Sequence, residues 1–320
     1  MQKNSINDKK LHVEEKHMSD LCLGTAQFGS NYGVNNQIGR QPTRKECFEM
    51  LDYAFENGIT TIDTANAYGE AELILGTFLG KNKKWKKVKI ISKFGTNILE
   101  SRKSIQETIT EECKNSLKRL SVEKLDGYLL HTPDYIYNEA VLDALVKLKQ
   151  DGYIQNTGIS IYDLKEGEAA VKTGVIDYIQ LPYNILDQRG MKDGFIPKAR
   201  KAGITIFTRS VFLQGLLLMD TKSVPTSMYS AIPYLETMDK IFKKYNVDKV
   251  SGILNFVKSE RDINYIVFGV EKIEQLKEYL FKSSYSDIPK ECIQDLKTQI
   301  NNVAKEIIYP NLWSDHQKED

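Results

Sequence analysis

Eight short apolar runs, most of them β-branched, alternate with helix-patterned segments along nearly the whole chain. No other feature limits the available folds so strongly. The strand-like runs fall at 21–23, 59–62, 88–93, 125–130, 154–160, 178–181, 204–207 and 265–268. Between them, apolar residues recur at helical spacing near 71–79, 105–120, 139–149, 165–172, 195–201, 234–245, 248–257 and 271–280. The earliest helix follows a capping box, Thr43-Arg44-Lys45-Glu46, presents Cys47, Met50, Leu51, Ala54 and Phe55 on one side, and stops at Gly58. A last amphipathic helix is predicted over 290–308.

Strict alternation without a composition break argues for one parallel α/β domain. An open doubly wound sheet fits the alternation as well. Its first strand-to-helix turn would need GxGxxG, however, and Gly24 and Gly29 are wrongly spaced for that. The expectation is therefore a closed (β/α)8 TIM barrel over 18–310 with an extra C-terminal helix. A disordered extension (1–17) precedes it and a polar tail (311–320) comes after it.

Composition excludes several roles. A net charge of +1 in 320 residues implies no field for nucleic acid or a membrane surface. No apolar run approaches the roughly 20 residues that span a bilayer, and the first seventeen residues have no signal-peptide core. Cys22, Cys47, Cys113 and Cys292 are scattered and form no CxxC pair, as expected of reduced thiols in a cytoplasmic protein with neither disulfides nor a zinc site.

In a (β/α)8 barrel, chemistry gathers at the carboxyl ends of the strands. That rule selects Asp63 and Tyr68 after the second strand, Lys93 at the end of the third and His131 at the end of the fourth. Ser160, Gln180, Arg209, Ser210 and Gly269 occupy the later ends. Of four histidines, His12, His17 and His316 lie outside the expected barrel; the one inside it, His131, stands at a strand end. Each residue alone has an ordinary structural role open to it, as turn cap, surface lysine or core histidine. Their fall at consecutive strand ends is harder to assign to chance. A lysine beside a phenol favours phenolate, so Tyr68 could release its proton to a carbonyl. Asp63 would fix the lysine, and His131 would orient the carbonyl. Nothing pairs a nucleophile with a base, and no ligand cluster suggests a metal. The hydride has to come from a redox cofactor.

With these residues the chain resembles an aldo-keto reductase. The matching motifs are Leu23-Gly24-Thr25-Ala26 with Phe28-Gly29, Asp63-Thr64-Ala65 with Tyr68-Gly69 and Glu72, Ser92-Lys93, and Leu130-His131 with Pro133-Asp134. Gly158-Ile159-Ser160, Gln180 with Tyr183-Asn184, Arg209-Ser210 with Gly215-Leu216-Leu217, and Gly269 with Gln275-Leu276 continue the match. The resemblance implies a (β/α)8 barrel that binds NADP(H) or NAD(H) across its carboxyl face and reduces a small-molecule aldehyde or ketone. It implies Tyr68 as general acid, tuned by Lys93 and Asp63, with His131 orienting the carbonyl. Ser160 and Gln180 would hold the nicotinamide carboxamide. Gly24, Thr25, Arg209, Ser210, Gly215, Gly269, Val270, Glu271 and Gln275 would complete the cofactor site.

The chain departs from the family in four places. Ile161 stands where Asn is common, and Arg209 where an aromatic often stacks on the nicotinamide. Tyr279 replaces an Asn near the adenine. Glu271 takes the place of an Arg, Lys or Ser that grips the 2′-phosphate of NADP; a carboxylate there favours a free 2′-hydroxyl, while Lys272 beside it could serve a phosphate. NADP and NAD both stay open. Polar residues at Asn31-Tyr32-Gly33-Val34-Asn35-Asn36 and at Asn66 point to a sugar or sugar derivative. Two alternatives share the fold: a cofactor-binding regulatory subunit with little turnover, and a Schiff-base aldolase using Lys93.

Overall fold

Alternation of inward and outward side chains along parallel strands forces a choice of face, and here that choice closes a barrel. In the computed structural model, residues 20–81, 87–95, 103–285 and 288–313 are described. The extension expected at 1–17, most of the basic turn 81–87 and the tail beyond 313 lie outside them. The strands are β1 (Asp20–Gly24), β2 (Thr61–Asp63), β3 (Lys89–Phe94), β4 (Gly127–Leu130), β5 (Thr157–Ser160), β6 (Tyr178–Pro182), β7 (Thr205–Arg209) and β8 (Tyr265–Gly269). They pair in parallel in sequence order, and β8 returns to β1. The sequence expectation of a closed (β/α)8 barrel is met.

A short turn, α1 (Ala26–Gly29), precedes the outer helices, where the sequence suggested only a loop. Around the barrel then run α2 (Arg44–Glu56), α3 (Ala71–Lys81), α4 (Ile105–Leu120), α5 (Glu139–Gln150) and α6 (Leu164–Thr173). After them come α7 (Arg189–Lys192), α8 (Phe195–Lys201), α9 (Ile232–Tyr245), α10 (Lys249–Lys258) and α11 (Ile273–Tyr285). The capping box read at Thr43 and Glu46 is present at the start of α2. The C-terminal helix expected over 290–308 is not continuous. It forms α12 (Lys290–Gln299) and a single turn α13 (Lys305–Ile308), separated where Asn302 adopts a left-handed φ of 53°. The residues just beyond α13 still belong to the folded body. Trp313 is buried, and its indole N–H donates to the Glu306 carbonyl at 3.0 Å.

Strand parity places the site. Cys22, Ile91, Leu129, Phe207 and Val267 form a buried cluster inside the barrel, with Tyr178 and Tyr265 packed against it. Two residues further along each of these strands, on the same face, stand Gly24, Lys93, His131, Arg209, Gly269 and, after Tyr178, Gln180. Register confirms the layer: Gly24 lies opposite both Asp63 and Gly269, and Ser160 opposite Gln180. The apolar cluster is the floor, and the polar residues form the layer above it. Among the described residues, no helix is long and apolar enough to cross a membrane, and all four cysteines are free and buried.

Candidate active site

Lys93 is the centre of the polar layer. Its side chain is wholly buried, and Nζ lies 2.8 Å from the Asp63 carboxylate. Nζ also donates to the Thr64 carbonyl at 2.9 Å and reaches the Tyr68 hydroxyl oxygen at 3.5 Å. An ammonium has three protons, and these contacts use all of them. Lys93 donates to Asp63 Oδ2, and the Gln180 side-chain amide donates to Oδ1, each at 2.8 Å. Gln180 in turn accepts from the Ser160 hydroxyl at 3.5 Å. So Asp63, Lys93, Gln180, Ser160 and Tyr68 form one connected network.

Because Lys93 donates to the Tyr68 oxygen, the phenolic proton is left to point elsewhere. The ring of His131 meets the Tyr68 ring edge to face, with centroids 5.7 Å apart. Burial holds the His131 imidazole neutral, pushing its pKa down to about 3, with the charges of Lys93 and Arg209 acting in the same direction. The Tyr68 phenol does not behave as the sequence suggested. Burial, reinforced by Asp63, raises its pKa rather than lowering it. The larger cause is desolvation: the phenol is buried, and burial favours its neutral form over the phenolate. In the resting site Tyr68 is a fully protonated donor.

Backbone contacts fix this tyrosine from behind. A Cβ on Gly29 would sit 1.6 Å from the Tyr68 carbonyl oxygen, and one on Gly69 2.3 Å from the Gly29 carbonyl oxygen. The turn bearing Tyr68 therefore rests directly on α1. Glu72, one turn on, is buried and accepts from Ser92 Oγ at 2.5 Å and Arg119 Nε at 2.6 Å. That ties α3 and α4 to the residue preceding Lys93.

A cleft of about 330 Å³ opens above the network. It runs from Asp63, Tyr68 and His131, past Ser160, Gln180 and Gly24, to Gly269, Glu271 and Gln275. Ser210 and Gly215 also line it. An extended groove with glycines at its edges and a helix, α11, beginning at its far end suits a dinucleotide. Two expected contacts face elsewhere. Thr25 is buried and outside the lining; its hydroxyl and N–H both donate to the Asp63 carbonyl, at 3.1 and 2.9 Å. The Val270 side chain belongs to the core.

At the far end, Glu271 is buried to 6 % exposure, and its Oε1 accepts from Gln37 N at 3.1 Å and Gln275 Nε2 at 2.6 Å. Phe212 and Tyr279 pack beside it with ring centroids 4.5 Å apart. Lys272, considered from sequence as a phosphate partner, is not among the lining residues; Arg209 is the one arginine or lysine that is. The Arg209 guanidinium lies 4.1 Å over the Tyr162 ring and donates to the Ile161 carbonyl at 3.0 Å.

Sequence reasoning missed Gln27, Tyr162, Pro310 and Asn311 as wall residues. The aromatic Tyr309 and Trp313 within a polar terminus were the available signal for the last pair. Both are buried, and Tyr309 Oη donates to the Tyr162 carbonyl at 3.1 Å.

The aldo/keto reductase family model matches residues 20–300. The chain is 28% identical over 294 residues to an NADH-specific methylglyoxal reductase of Escherichia coli (strain K12), covering 82% of this chain and 88% of that protein. It is 24% identical over 332 residues to aldo-keto reductase YhdN of Bacillus subtilis (strain 168), covering 96% and 100%. The holo form of aldo-keto reductase AKR11C1 from Bacillus halodurans matches with a TM-score of 0.73 at 21% identity, over 92% of this chain and 95% of that one. With the family model spanning all eight strands, the chain belongs to the aldo/keto reductase family of NAD(P)-dependent oxidoreductases.

Proposed function

We propose that this protein reduces a small, polar aldehyde or ketone to an alcohol with NADH as its cofactor. The observation that carries the reading is the Tyr68 hydroxyl, which accepts from Lys93 and so keeps its own proton for the cleft. A reduced nicotinamide supplies hydride to the carbonyl carbon. As charge builds on the carbonyl oxygen, neutral His131 holds it by hydrogen bond and Tyr68 transfers its proton to it. Lys93, the nearest ammonium, then stabilises the phenolate that forms. Asp63 keeps Lys93 charged and fixed. An amine bonded in this way has no lone pair for attack on a carbonyl, which disfavours the Schiff-base alternative.

Ser160 and Gln180 are the residues that would hold the carboxamide, and Gly269, Ser210 and Gly215 those that would line the diphosphate. Glu271 carries the choice of NADH. Its carboxylate is held in place at the end of the cleft where no arginine or lysine lines the wall, so a 2′-phosphate would meet like charge and no counter-charge. The NADH-specific relative from Escherichia coli supports the same choice. Polar walls from Tyr32, Gln214 and Asn311 favour a hydroxylated or oxo-bearing substrate.

The test is fluorescence titration with NADH and NADPH, followed by turnover with methylglyoxal and glyceraldehyde. NADH should bind at least about tenfold more tightly, a difference of about 1.4 kcal/mol, and Glu271→Arg should reverse the order. Equal affinities in both proteins would remove Glu271 as the reader of the 2′ position. Tight binding without turnover of any carbonyl would favour the regulatory-subunit alternative.

A further inference from the structure

Three ionisable side chains at the catalytic end of the cleft cancel or are silent. Lys93 and Asp63 neutralise one another at 2.8 Å, and His131 is neutral. Arg209 is not cancelled. Its bonded acceptors are neutral, the Ile161 carbonyl at 3.0 Å and Ser210 Oγ at 3.3 Å, and its face is covered by Tyr162 at 4.1 Å. Its Nε has no hydrogen-bond partner. No carboxylate among the described residues forms an ion pair with it. The second acid of the cleft, Glu271, is at the opposite end, engaged by Gln37 and Gln275.

A guanidinium held in a partly closed cleft without an anion is an electrostatic vacancy. Burying a charge is unfavourable unless something of opposite sign meets it. The direction in which Arg209 leans bears on what that anion is. It leaves the end of β7 towards the segment after β5, residues 161–162, and away from Gly269 at the end of β8 and Glu271 just after it, where the cofactor's diphosphate is expected. It also lies close enough to Tyr68 and His131 for its charge to act on both. Its charge also reaches the Tyr32 hydroxyl.

We infer that Arg209 is a specificity residue: the carbonyl substrate bears an anionic oxygen group, a carboxylate or phosphate, that pairs with its guanidinium while the carbonyl lies between Tyr68 and His131. The inference rests on the reductase reading and narrows its substrate class. A planar fork suits both oxyanions bidentately. It also explains why this position holds Arg rather than an aromatic ring, which would offer a stacking face but no charge.

The experiment compares matched pairs of neutral and anionic substrates in the intact enzyme with saturating NADH. Butanal is set against succinate semialdehyde, and glyceraldehyde against glyceraldehyde 3-phosphate. The anionic member of at least one pair should have a kcat/KM about tenfold higher or more, and which pair shows it separates carboxylate from phosphate. Raising KCl from about 20 to about 500 mM should lower only the anionic rates. Arg209→Gln should bring the ratio close to one, whatever it does to the absolute rates. Arg209→Lys, which keeps the charge, should restore part of the ratio and shows that the effect is charge and not folding. Equal kcat/KM within both pairs in the wild type would overturn the inference and leave the reductase reading standing. So would a ratio that survives Arg209→Gln, or one that collapses only in step with a weakened NADH affinity, which would assign Arg209 to the cofactor. Reduction of none of the four compounds would overturn the reductase reading itself, and the inference with it.

Discussion

In the proposed reaction Tyr68 is the proton donor, its resting state set by burial and its product state by Lys93. Tyr68→Phe should therefore lower kcat for carbonyl reduction by about 10² or more, while the NADH dissociation constant from fluorescence titration changes little. A variant that kept its kcat would remove Tyr68 from the reaction. The pH dependence is set by two shifts. The His131 pKa is depressed to about 3 and that of Tyr68 is raised above its ordinary value. Imidazole stays neutral and phenol stays protonated across the neutral range, so kcat/KM for a neutral aldehyde should be flat from about pH 5 to about pH 9. An inflection near pH 6.5 would show that His131 charges in the working enzyme. Stability has the opposite sensitivity. The unfolded chain takes up the histidine proton first as pH falls, so His131 costs stability between its ordinary pKa of about 6.5 and its folded value, at up to about 1.4 kcal/mol per unit. Replacement by Asn should flatten that part of a urea-denaturation series. The positions of the four candidate residues were readable in the sequence because each stands two positions after an inward apolar or small residue, or just beyond a strand end. Tyr162 was not, since it lies on a loop whose course depends on tertiary contacts. The direction of the Tyr68 shift differs from the sequence expectation because the sequence shows the ammonium but not the burial that favours the neutral phenol.

At the level of elements, the Gly29–Gly69 contact is what sets the backbone of Tyr68. Gly29 is not at a left-handed φ; its constraint is space alone. Gly29→Ala should push α1 away from the Tyr68 turn, costing about 1–3 kcal/mol in stability and lowering kcat well beyond what the lost stability explains at 25 °C. Chemical denaturation and steady-state rates on the same sample would check it; an unchanged kcat would show that the tyrosine is positioned from elsewhere. Element types were largely legible, helped by the cap at Thr43 with its Glu three residues later. The last helix was read too long. Cys292, Leu296 and Ile300 keep helical spacing, and Ile307 and Ile308 resume it, so periodicity bridges the gap. The Asn301-Asn302 pair was the breaker, since Asn tolerates the left-handed conformation that Asn302 adopts.

Across the whole molecule, the closed barrel was legible because eight strand signals and an unsuitable first glycine turn left few alternatives. The way loops join over the barrel mouth was not. Val34 N donates to the Gln214 carbonyl at 3.1 Å, Asn35 Nδ2 to the Gly215 carbonyl at 3.4 Å, and Gln37 N to Glu271 at 3.1 Å. The loop after β1 thus reaches past its neighbour β8 to join the loop after β7. It forms an arch over the far half of the cleft. If the dinucleotide lies beneath this arch, those bonds would have to open before spent cofactor could leave. Product alcohol, held at the open half, has no such obstacle. The two departures should then be separated in time, alcohol first and oxidised nucleotide last. Mixing the enzyme–NADH complex with substrate in a stopped-flow instrument should give a first turnover faster than every later one. A linear trace from the first turnover would mean that the arch opens faster than the chemistry it covers.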